Sequence, residues 1–165
     1  MKRIITLIAV IGMIAFSGCS SDDDFDSDTI GEVFELRNVN FDFNATDGYN
    51  IYQKLSPQIF PSDVILVYRL TGTVNGSTPI WQSIPRTLYT SQGELDYDFD
   101  FSREDFTIYA GGNYNLALTP EFLRNQTFRI VIVPAAFSRN LNTNDYFSVI
   151  KALNLNDGKV KQIQL

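Results

Sequence analysis

From residue 32 onward, apolar and polar positions alternate over short spans separated by turn residues, the period of half-buried strands. The clearest span is LDYDFDF, where Leu95, Tyr97, Phe99 and Phe101 take one side and Asp96, Asp98 and Asp100 the other. In VFELRNVNFDF, Phe34 and Leu36 alternate with Glu35 and Arg37, and the apolar parity then moves to Val39, Phe41 and Phe43. Such a shift predicts a bulge near Arg37–Asn38, or two strands meeting there. After the turn chemistry of NATDG, Tyr49, Ile51 and Gln53 share one side of YNIYQKL. Two runs differ: DVILVYRL and TFRIVIV are nearly continuously apolar, β-branched and too short for a typical helix, which predicts buried central strands. The first leads through GTVNGST into PIWQSIP as a hairpin, and the second stops at Pro134.

Only near the end does the period change. In NDYFSVIKALN, Tyr146, Val149, Ile150 and Leu153 fall on one helical face, with Asn144 or Asp145 as N-cap. TPEFLRN predicts a single helical turn capped by Thr119, and Asp157-Gly158 turns the chain into a short last strand within KVKQIQL. Six to eight strands, one short C-terminal helix and no βαβ alternation predict a mainly β chain. The expected architecture is a single antiparallel β-sandwich, Ig-like or similar, over residues 32–165.

The first eighteen residues follow another logic. Lys2 and Arg3 precede an apolar run from Ile4 to Phe16, and Ser17-Gly18 supply small residues before Cys19. That order is the order of an export signal. A membrane-spanning helix wants roughly 20 apolar residues, and this run is shorter. Phe-Ser-Gly-Cys resembles the lipobox of bacterial lipoproteins, with Phe16 where leucine is usual. The resemblance implies cleavage before Cys19, acylation of that cysteine, and attachment to a membrane through the lipid. Each buried methylene contributes roughly 0.8 kcal/mol, so two or more chains hold stably.

Ser21, Asp22, Asp23 and Asp24 follow, then Asp26 and Asp28. Composition alone makes residues 19–31 an extended, self-repelling tether. The run also resembles the acidic surface-export signal of Bacteroidota lipoproteins, which implies display on the outer face of the outer membrane; a periplasm-facing anchor is the alternative. Asp28-Thr29-Ile30 is similar to the O-glycosylation tripeptide of the same phylum, with Thr29 as acceptor. Taken together, DVILVYRL, LDYDFDFSREDFTIY and FRIVIVPAAF behind a lipobox resemble a group of small Bacteroidota lipoproteins without assigned function. That likeness implies a shared β-rich domain and adds no catalytic residue.

Charge and composition narrow the chemistry. The chain of 165 residues carries 13 basic and 19 acidic side chains, no histidine and one cysteine. Loss of Lys2 and Arg3 with the signal would leave 11 against 19, a formal −8, which argues against nucleic acid and against anionic headgroups. Without histidine there is no Ser-His-Asp machinery and no imidazole for zinc, and an acylated Cys19 leaves no thiolate. Asp96, Asp98 and Asp100 stand roughly 6.6 to 7 Å apart on one strand face, near the roughly 6.5–9.5 Å of inverting glycosidases. The alternating aromatics already account for them as a solvated face. Trp81 and Tyr89 lie near loop edges and are the candidate ligand contacts, weighed against packing in the core or at its rim. The expectation is a non-enzymatic, lipid-anchored binding or adhesion module without cofactor or metal, its partner a protein or glycan. An accessory subunit of an envelope assembly, joined through an edge strand, comes second, and a carboxylate hydrolase last.

Overall fold

Both apolar runs become the inner strands of one sheet, and the reason they lack alternation is that both of their faces are covered. The computed structural model describes residues 30–138 and 141–163. The strands, in chain order, are β1 (Glu32–Val39), β2 (Asp42–Asn44), β3 (Gly48–Lys54), β4 (Val64–Val74), β5 (Thr78–Ile84), β6 (Arg86–Tyr89), β7 (Glu94–Phe101), β8 (Asp105–Gly112), β9 (Gln126–Val133) and β10 (Lys161–Ile163). They form two five-stranded sheets, ordered β10-β1-β9-β4-β5 and β2-β3-β8-β7-β6. We call these sheet A and sheet B. A single-turn helix, α1 (Ala135–Ser138), and a two-turn helix, α2 (Tyr146–Ala152), follow β9.

The result is a mainly β, sandwich-like fold with a short C-terminal helix, as the alternation predicts. Ten strands replace the six to eight expected, because short edge strands such as β2 and β6 carry too few residues to show a period. One pairing is not antiparallel. β10 runs parallel to β1, with Phe34 opposite Lys161 and Leu36 opposite Ile163. The bulge expected near Arg37–Asn38 is present: the β1–β9 register shifts between Leu36 and Val39, and Asn38 has φ 54°. The β4–β5 hairpin turns on Asn75, Gly76 and Ser77, the first two at positive φ (52° and 73°), with Ser77 N donating to the Val74 carbonyl at 3.2 Å.

Between the sheets, inward residues interdigitate. Phe41 and Phe128 meet edge-on at 5.9 Å, Tyr97 lies 6.1 Å from Phe128, and Phe34 meets Phe106 at 6.1 Å. The expected inward parity holds for Val39 and Phe41 but not for Phe43, which sits on the edge strand β2, exposed against Tyr49. A second core lies on the outer face of sheet A. There α2 lays Tyr146, Val149, Ile150 and Leu153 over Tyr68, Val131 and Val133. Asp145 is the N-cap, accepting from Phe147 N at 3.1 Å. The turn at Pro120–Phe122 is a 3-10 turn that Thr119 does not cap; its hydroxyl bonds Tyr114 instead. Every residue of both cores lies between Val33 and Ile163, so a chain starting at Ser20 keeps both cores whole.

Three buried tyrosines link this packing to pH. Tyr68 donates to the Thr143 carbonyl, Tyr97 to the Phe122 carbonyl and Tyr146 to Asp157, all acceptors that offer a phenolate nothing. Burial pushes Tyr97 up to about 12, with the Arg69 guanidinium pulling the other way. Burial raises Tyr68 and Tyr146 as well. A phenol whose folded pKa is raised contributes stability that is complete below its unfolded value of about 10 and is lost as pH climbs through the folded value. The fold is therefore expected to open cooperatively above about pH 10, its buried tyrosines ionising with the loss of far-ultraviolet circular dichroism. Absorbance at 295 nm that reports all eight tyrosines titrating near pH 10 in a native fold would contradict this.

Candidate functional site

Two surfaces stand out among the described residues: the outer face of sheet B and a cleft at one end of the sandwich. The first follows from strand parity. Inward positions of β8 are Phe106, Ile108 and Ala110, so Thr107, Tyr109 and Gly111 face out. Register extends the face across the sheet. Asn50 pairs with Tyr109 and Tyr109 with Asp98; Tyr52 pairs with Thr107 and Thr107 with Asp100; Gly111 pairs with Asp96 and Asp96 with Thr87. Tyr89, opposite Glu94, completes it at the β6 edge.

No helix covers this face among the described residues. Tyr52 is 57% and Tyr89 82% exposed, and Tyr109 is half-buried. Tyr109 donates to Asp100 at 3.0 Å and Tyr52 to Asp105 at 3.2 Å, which fixes how two of the rings lie on the sheet. Desolvation, then the hydrogen bonds to these carboxylates, raises both phenols, keeping them neutral donors. Gly111 leaves bare backbone beside Asp96, and a Cβ there would meet nothing within 4 Å. Ring faces, hydroxyls and carboxylates side by side on one sheet face can bind a polar, hydroxyl-rich ligand. Asp96, Asp98 and Asp100 thus lie on an open sheet, with Asp98 and Asp100 exposed, and Asp98 accepts from the neighbouring Phe99 N at 2.8 Å.

Trp81 is elsewhere. It stands on β5, on the outer side of sheet A, its ring 5.4 Å from Tyr146 and 4.4 Å from the Arg129 guanidinium. Its Nε1 is buried with no hydrogen-bond partner among the described residues. The two candidate aromatics are therefore not brought together: Tyr89 is free on sheet B and Trp81 is packed into the second core. Cys19, Ser21, Asp22, Asp23, Asp24 and Thr29 lie outside the described residues.

Beside Trp81 lies a polar cluster that strand parity does not reveal. Glu35, which alternates with the apolar positions of β1, is 2% exposed, because α2 and the following turn close over that face. Arg129, 8% exposed, donates through Nε to Glu35 at 2.9 Å and through Nη1 to Tyr146 and Asp157. Burial lowers the Arg129 pKa, but the Glu35 hydrogen bond, Tyr146 and Asp157 outweigh it, so the guanidinium stays charged. A lone arginine inside an apolar run was the signal available; its partners lie 94, 17 and 28 residues away.

The cleft, of about 520 Å³, opens between the start of β1, the loop after β3, and β10. Phe34, Leu55, Ile59 and Ile132 give it an apolar floor, and Lys54, Lys159 and Lys161 stand in its wall. Among the described residues no group of three or more His, Cys, Asp or Glu is placed to hold a metal ion, and no helix is long and apolar enough to cross a membrane. Compared with protein-family models, with curated proteins and with solved structures, the chain has no match.

Proposed function

We propose that this chain is a lipid-anchored β-sandwich protein of the bacterial cell surface, and that it acts as a non-enzymatic binding module reading glycan on the outer face of sheet B. The observation that carries the ligand reading is the asymmetry of the two sheets. Sheet A has its outer face covered by α2, whereas sheet B leaves Tyr52 and Tyr89 exposed and Tyr109 half-buried beside three aspartates. Tyrosine rings offer apolar platforms to the C–H face of a sugar, and carboxylates accept from its hydroxyls. The anchor and address rest on the lipobox-like sequence before Cys19 and the acidic run after it. Assembly through an edge strand is less well supported. β2 and β10 have three residues each, β6 has four, and β5 carries Pro79, all features that blunt an edge.

Three measurements test this. Changing Cys19→Ser is expected to move the protein from the membrane fraction to the soluble one. Protease added to intact cells should cleave the wild type and spare a variant with Asp22, Asp23 and Asp24 changed to alanine. On a panel of surface polysaccharides, Tyr52→Ala combined with Tyr109→Ala should weaken binding by at least tenfold, since a central aromatic contact typically contributes more than about 1 kcal/mol. Equal binding by the double variant would remove sheet B from the account; protection of the wild type on intact cells would remove the surface.

A further inference from the structure

The end cleft has a chemistry unlike the rest of the molecule. The chain is acidic, −6 overall, and has five lysines. Four of them are among the described residues, and three of those four line this one cleft. No ion pair among the described residues engages Lys54, Lys159 or Lys161. Two carboxylates also line it. Asp63 accepts from Phe60 N at 3.0 Å and belongs to the loop, and Glu32 stands exposed at the start of β1. Lysines still outnumber carboxylates here by three to two, so the local sign is opposite to that of the chain.

Register explains how the charge reaches apolar surface. Parallel pairing sets Lys161 beside Phe34 and Ile163 beside Leu36, and both partners point between the sheets. Lys161 is thus on the inner side of β10, where the edge of the sandwich stands open. Lys159 precedes it in the 3-10 turn Asp157–Lys159, and the residues just before that turn, Leu155 and Asn156, also border the cleft. A volume of about 520 Å³ lies within the roughly 300–1,000 Å³ of small-ligand sites. A small inorganic anion would leave the apolar floor in water, and a neutral hydrocarbon would leave the ammonium groups without counter-charge.

We infer that this cleft binds a single-chain aliphatic carboxylate, its tail on Phe34, Leu55, Ile59 and Ile132 and its head group at Lys159 and Lys161. The site is separate from the outer face of sheet B, so it stands or falls apart from glycan binding. It is tested with the chain starting at Ser20, after its cooperative thermal transition is checked, by calorimetric titration with dodecanoate below its micellar concentration. The expected result is saturable binding of one dodecanoate, weakened at least tenfold in Lys159→Gln combined with Lys161→Gln. Both lysines are exposed, so these changes leave the fold intact. Dodecanol binding as tightly as dodecanoate, retention of affinity in the lysine double variant, or binding only to vesicles of anionic phospholipid would each overturn the inference.

Discussion

Arg129→Met is expected to destabilise the fold by about 3–5 kcal/mol, the range for breaking a buried ion pair by removing one partner. The cause is what remains. Glu35 would keep its burial and lose the Nε donor at 2.9 Å, leaving only Arg37, itself half out in water. Tyr146 and Trp81 would lose the cation that lies 5.1 Å and 4.4 Å from their ring centres. Asp157, more than a third exposed, would be rehydrated, and its share of the loss is small. The same reasoning predicts rescue: Glu35→Leu with Arg129→Met should recover most of the loss, because removing both charges leaves no unpaired ion. Urea denaturation of the two single variants and the double gives the coupling directly. An Arg129→Met loss under about 1 kcal/mol would mean that the cluster is already hydrated and does not hold α2 to the sheet.

That cluster also marks where reading the chain residue by residue stops. Strand β7 was legible because one of its faces meets the core and the other meets water, so Leu95 and Tyr97 separate cleanly from Asp98 and Asp100. Strands β4 and β9 were legible for the opposite reason, being apolar on both sides. Helix α2 announced itself by its period and by Asp145. Glu35 failed because its side of β1 looks solvated until a segment more than a hundred residues later folds over it. The end cleft failed similarly: β1, the loop after β3 and β10 share no local motif, and the parallel β1–β10 pairing leaves no trace in either strand. For the sheet B face a signal was present. Tyr52 and Tyr109 each fall off the apolar parity of their own strands, which is where an exposed aromatic shows.

The largest effect is expected where the second core is thinnest in sequence, at Val149→Asp. Val149 is fully buried between α2 and sheet A, in a cluster whose aromatic members are Tyr68 and Tyr146, with Trp81 against its edge. A carboxylate there has no free donor nearby, since the Arg129 guanidinium is already occupied by Glu35, Tyr146 and Asp157. Burying an unpaired charge costs several kcal/mol, enough to detach a helix of seven residues that has no independent stability. The outer face of sheet A would then expose Tyr68, Val131 and Val133, and the variant should bind a hydrophobic dye and aggregate on mild heating. Asp98→Ala, on the outer face of sheet B, should stay within about 0.5 kcal/mol of the wild type. The contrast bears on function. Polar residues that the fold needs, such as Glu35 and Arg129, are buried and paired, whereas Tyr52, Tyr89, Asp98 and Asp100 on the outer face of sheet B are exposed to solvent. If Asp98→Ala proved as damaging as Val149→Asp, the sheet B face would be structural, and its claim as the binding surface would fall with it.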